Sequence, residues 1–152
     1  MVEVGTVLGV AYFTALNGQV SLNGSPVPVY DNFAPDLPSN TGDFQYIVLQ
    51  NIATTPENES KCNFGVSAVM TVNIVTGFLG TGGARNSRLI GDQVLKIIIP
   101  FATSAYLDFG INLQNLNTQL QTSMELVENN GTHNVYRKVY RIKHSIIQKQ
   151  TA

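Results

Sequence analysis

Apolar residues recur along this chain with two different periods, and the switches between them mark out the elements. Over residues 3–17, Val4, Val7, Leu8, Ala11 and Ala15 fall at i, i+3, i+4, i+7 and i+11, one stripe of helical period. Asn17-Gly18 supplies the stop, because glycine accepts the left-handed conformation that closes a helix. Residues 19–22 and 27–30 are short strands around Asn23-Gly24, a strong hairpin signal. Pro26 and Pro28 confine the second to a sheet edge or an irregular lead-in.

A loop over residues 31–43 follows, and then a compact strand at 44–50 and a polar turn. Over 62–75 the period is two, with Phe64, Val66, Ala68, Met70, Val72 and Ile74 alternating with smaller or polar neighbours. Glycines over 77–83 break the pattern. Asn86 or Ser87 caps a helix running to Ile99, with Ile90, Val94, Ile97 and Ile98 on one side and Pro100 past its end. The β-branched run at 97–99 fits a strand as well. Two strands at 119–128 and 133–147 close the chain, joined at Asn129-Asn130-Gly131.

The order predicts an α+β fold of one domain over 1–152. A single antiparallel or mixed sheet carries an N-terminal helix and a second helix on one face, and ends in a long hairpin. Within the last strand, Val135, Arg137, Val139, Arg141 and Lys143 share one parity, while Tyr136, Lys138, Tyr140, Ile142 and His144 share the other. One face is therefore basic with valines and the other aromatic and aliphatic.

Composition changes the picture in one respect. Hydrophobic residues at 43% are ordinary for a globular domain, but charged residues make up only 12%, about half the usual share. Asn, Thr, Ser and Gln fill the gap with 15, 13, 9 and 9 copies. A surface poor in charge and rich in amides suits burial against neighbours, although a source with Asn-rich proteins accounts for it equally. The charge that exists is segregated. Residues 1–60 hold six acids (Glu3, Asp31, Asp36, Asp43, Glu57, Glu59) and no Lys or Arg; residues 61–152 hold nine basic residues and four acids. The halves carry −6 and +5, for a total of −1. Such a split fits a basic tail for nucleic acid, or copies that meet acidic edge to basic edge. The balanced total argues against strong non-specific phosphate binding.

Candidate chemistry is sparse. Asp31, Asp36 and Asp43 are spaced five and seven apart, unlike the alternate-position acids of a calcium loop, and turn-forming Asp and Pro on a surface connection explain them better. The run GFLGTGGARNS has no lysine where a phosphate-binding loop needs one. Cys62, His133 and His144 are scattered, with no nucleophile signature around the cysteine and too few ligands for zinc. No catalytic, cofactor or metal site is expected. A single cysteine forms no internal disulfide. The N-terminus lacks a signal-peptide n-region, and no apolar run reaches membrane-spanning length, so a protein that is intracellular when made is expected, with no membrane contact. The basic strand YRKVYRIKH, 136–144, interleaves cations and aromatics as a single-strand nucleic-acid platform does; a solvated strand face or a subunit interface reads the same way.

The order of elements resembles the tail-completion proteins of tailed bacteriophages, the tail-terminator or head-to-tail joining family. The residues that carry the likeness are VYD at 29–31 with the Pro-containing acidic loop after it, YIVLQ at 46–50, VNIVTGFLG at 72–80, IGDQVLKII at 90–98, and the closing YRKVYRIKHSI at 136–146. Gln45-Tyr46 stands where that family often has a proline, and the stretch 50–61 is longer than usual, so another connector ring of the virion neck fits too. The resemblance implies a non-enzymatic building block that forms a homo-oligomeric ring between portal or adaptor proteins and the tail. DNA would pass through its lumen without sequence-specific binding, and assembly would occur in the host bacterial cytoplasm. On that reading Asp31, Asp36 and Asp43 face Arg137, Lys138 and Arg141 of the next copy. The alternative is a small nucleic-acid-binding module using the last strand.

Overall fold

The computed structural model describes residues 3–38, 41–60, 63–100 and 107–148. Helix α1 (Val4–Leu16) leads into a two-stranded hairpin, β1 (Ser21–Leu22) and β2 (Ser25–Pro26). Then come β3 (Val29–Asp31), β4 (Phe44–Ser60), β5 (Asn63–Phe78), α2 (Arg85–Ile98), β6 (Leu113–Asn129) and β7 (Asn134–Gln148). The main sheet has the order β3-β4-β5-β7-β6, antiparallel except for the β3–β4 pair. The expected α+β class, with a mixed sheet, two helices and a closing hairpin, is what the chain adopts.

Both helices pack on one face of the sheet. Val4, Leu8, Tyr12 and Leu16 of α1 and Ile90, Val94 and Ile98 of α2 are buried against Ile47 and Leu49 of β4, Val66 to Ile74 at even positions of β5, and Tyr140, Ile142 and Ile146 of β7. The opposite face holds a smaller cluster, Tyr46, Val48, Val75 and Val135, with Tyr30 and Phe44 packed on it. The two parities of β7 therefore part as their chemistry requires, with Ile142 and His144 in the core and Arg141 in solvent.

The caps differ at the two helices. Glu3 accepts from the Gly5 N–H at 2.9 Å and closes the start of α1; Asn17 and Gly18, at a φ of 77°, end it. Helix α2 starts at Arg85 without a side-chain cap, and Ser87 Oγ donates to the Ala84 carbonyl instead of capping. The helix runs through Ile98, so the β-branched triplet ends in helix rather than strand.

Two strands are longer than their hydrophobic pattern. Strand β4 continues to Ser60 through the stretch read as a polar turn, and β6 begins at Leu113 rather than 119. Residues 53–57 of the β4 extension are exposed at a sheet edge and need no apolar period, whereas the start of β6 turns Leu113, Asn115 and Thr118 inward, so amide and hydroxyl groups take most of the inward positions there. The shift between Gln50 and Ala53 marks an irregularity at which the β4 pattern is lost.

Glycine 91 sets the distance of α2 from the sheet, because a Cβ there would overlap the Tyr140 hydroxyl and ring. Gly91→Ala is expected to cost about 1–3 kcal/mol by overpacking, against a helix-propensity gain of about 1 kcal/mol. Thermal unfolding should show a lower Tm, and a raised one would contradict this packing.

Candidate assembly surface

Asp31, Asp36 and Asp43 lie toward the β3–β4 edge of the sheet and the cations of β7 toward the other, beside Glu125 and Glu128 of β6, and several of these residues are already engaged within the chain. Asp31 ends β3 and is exposed; Asp36 is exposed on the loop beyond it. Asp43 Oδ1 accepts from the Leu79 N–H at 3.1 Å and so holds the glycine segment that follows β5. That segment is anchored twice more, by Asn134 Nδ2 donating to the Gly80 carbonyl and Tyr136 O–H donating to the Gly82 carbonyl, each at 3.0 Å.

On the basic edge, Arg137 pairs with Glu128 at 2.7 Å. Lys138 reaches Glu125 at 3.2 Å. Glu125 also receives a two-pronged contact from Arg88 of α2, at 2.8 and 3.0 Å. The Arg88 hydrogen bond, then that of Lys138, holds the Glu125 carboxyl down to about 2. Arg141 is exposed, and neither it nor Lys143 pairs with an acid among the described residues. Of the six residues expected to bridge copies, Asp31, Asp36 and Arg141 have no ion pair among the described residues.

The acidic loop also docks on its own chain. The His133 ring, buried against Phe44 with centroids 5.1 Å apart, lies with Nε2 2.8 Å from the Thr41 carbonyl. Its Nδ1 lies 2.9 Å from Thr132 Oγ1, whose hydroxyl donates to Asn130 Oδ1 at 3.0 Å, and Nε2–H donates to the Thr41 carbonyl. Asn130 Oδ1 accepts from the Thr132 and His133 N–H groups and fixes the turn. Between loop and turn lies a cleft of about 270 Å³ lined by Pro35, Asp36, Pro38, Tyr46 and Thr132 among others. Gly77 makes room for this packing, because a Cβ there would overlap the Phe44 ring.

Two apolar surfaces lie away from the expected site residues. The outer side of α1 forms one wall of a groove of about 530 Å³, with Val7, Val10 and Ala11 facing Leu107 and Phe109. Strand β6 exposes Leu120, Met124, Leu126 and Val127. The signal for the first was present: α1 is apolar on every side, which marks a helix expecting cover on more than one face.

His144, in contrast, is enclosed by Tyr12, Thr118, Asn115 and Phe109. Both histidines are occupied in structural hydrogen bonds, and Cys62 lies outside the described residues. Among the described residues, no three His, Cys, Asp or Glu side chains gather as a metal site, and no helix is long and apolar enough to cross a membrane.

What this geometry defines is an α+β layer protein with segregated edge charge and uncovered apolar surface. The same fold occurs in a chain of the virion of a native gene transfer agent (GTA) particle, with a TM-score of 0.58 and 14% identity over 95% of this chain and 99% of that one. No protein-family model and no curated protein matches the sequence.

Proposed function

We propose that the protein is a structural component of a phage-like virion. It assembles with copies of itself as a ring in the neck, joins portal or adaptor proteins to the tail, and lets DNA pass through its lumen. The observation that carries this reading is the end-to-end correspondence with a chain of the gene transfer agent virion, in which 95% and 99% of the two chains align. The charge layout supports the ring. Heterologous contacts that close on themselves need two different, complementary edges on each copy. Here Asp31, Asp36 and Glu57 lie toward the β3–β4 edge, and Arg141 and Lys143 toward the β7–β6 edge. Exposed pairs contribute only about 0–1 kcal/mol each; they select register, while apolar burial supplies affinity. The building block needs no catalytic chemistry.

The nucleic-acid module has less behind it, because Glu128 and Glu125 neutralise Arg137 and Lys138 on the strand that would bind. Native mass spectrometry and negative-stain microscopy test the ring. The wild-type chain is expected as a closed oligomer, and Arg141→Glu with Lys143→Glu as a folded monomer by circular dichroism. Unaltered rings in that variant would remove the charged contact, and a monomeric wild type would remove the ring.

A further inference from the structure

We propose that β6 is an assembly edge that accepts the free stretch of β4 from a second copy, continuing the sheet from one subunit into the next. The proposal rests on the ring reading and specifies its contact. Strand β6 closes the sheet over 17 residues, with β7 as its one neighbour among the described residues. Over 119–128 its outer N–H and C=O groups pair with no strand among the described residues. Edges of that length are ordinarily blunted by lysine, proline or a covering segment. This strand contains no Lys, Arg or Pro, and its acids Glu125 and Glu128 are both engaged within the chain. Leu120, on the helix side, is exposed level with the free stretch of β4; Val127 on that side and Met124 and Leu126 on the other are exposed further along, level with residues 45–48 of β4 beside β3. An edge neutral in charge and apolar on both faces is shaped for another strand.

The complementary edge is on the far side of the same sheet. Strand β3 covers β4 at Ile47, Val48 and Leu49, and residues 52–57 have no strand outside them among the described residues. Pro56 withholds one donor there, and Glu57 adds a charge. Both disfavour pairing of two β4 edges with each other, but leave 52–55 free to pair with a neutral strand.

Direction and level also agree. Strand β6 runs opposite to β4 within the sheet, so head-to-tail addition makes an antiparallel pair. Through the ladder Gln119↔Lys143, Lys143↔Val69 and Val69↔Ala53, Gln119 of β6 lies level with Ala53 of β4. Charge favours this partner over a second β6. Arg141 and Lys143 of β7 flank β6 on the face that carries Glu57 at the β4 edge, and none of the three has an opposite charge within the chain among the described residues. A β6–β6 pair would bring the cations of both copies onto one face.

Cysteine pairing tests the contact in a Cys62→Ser background, which leaves no other cysteine. Gln119→Cys protein is mixed with Ala53→Cys, Thr55→Cys or Glu57→Cys protein and mildly oxidised. A disulfide-linked dimer is expected with at least one of the three. Rings that form without any such cross-link overturn the β6–β4 contact and leave the ring standing; a wild type that remains monomeric overturns both. Cross-linking of Gln119→Cys alone would mean β6–β6 pairing and also overturns the proposal. Leu120→Lys should weaken assembly at least tenfold while Leu79→Lys, on an exposed loop, leaves it unchanged; equal effects would count against the edge.

Discussion

Acidifying the protein from pH 7 to pH 4 is expected to remove about 3 kcal/mol of stability through one side chain, His144. The residue is fully buried on β7. Its Nε2 lies 2.5 Å from the Tyr12 hydroxyl and its Nδ1 3.0 Å from Thr118 Oγ1, with the Asn115 amide at 3.4 Å and the Phe109 ring edge-on. None of these groups is a carboxylate that would stabilise an imidazolium. Burial therefore pushes its pKa down from the ordinary 6.5 to about 4. The neutral ring needs one donor and one acceptor nitrogen. Tyr12, whose own pKa burial raises well above 10.0, supplies its O–H to Nε2. Nδ1–H then donates to Thr118.

The sign follows from where the proton binds first. Below pH 6.5 the unfolded chain protonates this histidine while the folded one resists, so stability is full above 6.5 and falls as the pH drops toward 4. About 2 kcal/mol should be gone by pH 5. Urea unfolding at pH 7, 5.5 and 4.5 reads the loss directly. His144→Gln should flatten that interval, whereas Glu125, whose folded pKa is about 2, acts in a lower window, between 4.5 and 2. A wild-type midpoint unchanged between pH 7 and 4.5 would mean that the ring is not enclosed as described.

How much of this was legible depended on whether burial left a period in the sequence. Strand β5 announced itself because Val66, Ala68, Met70, Val72 and Ile74 all enter the core. The closing hairpin did so through Asn130-Gly131 and the two parities of β7. The far half of β4 left no trace, because 53–57 are exposed and an exposed strand selects for β-compatible polar residues rather than alternation. The start of β6 is silent for another reason: its inward positions are Leu113, Asn115, Asn117 and Thr118, so burial there falls mostly on polar side chains and leaves no apolar period. At the candidate surface, the segregation of charge was visible but the internal pairing was not. Lys138 opposite Glu125 follows once the hairpin register is known. Arg88 reaches the same carboxylate from a helix distant in sequence, and no local pattern encodes that. The docking of the acidic loop by His133 is likewise tertiary.

Helix α1 sharpens the point, because its sequence gives the period but leaves the choice of face open. Val4, Val7, Leu8, Ala11 and Ala15 read as one stripe, yet Val10 and Phe13 are as apolar as any residue on it. The fold buries Val4, Leu8, Tyr12 and Leu16 and leaves Val7, Ala11 and Ala15 partly covered at the rim. Val10, 62% exposed, belongs to the outer groove. Two truncations separate these roles. Leu8→Ala removes a side chain with no solvent exposure from the contact between α1 and the sheet, and should cost about 2–5 kcal/mol. Val10→Ala should stay within about 0.5 kcal/mol for the monomer, as exposed substitutions do. If the groove is covered in the assembled ring, Val10→Ala should weaken assembly while leaving monomer unfolding unmoved. Chemical denaturation of both variants, beside native mass spectrometry of each, reads the two effects separately. Equal monomer costs at the two positions would mean that α1 is seated on a different face, and the groove with it.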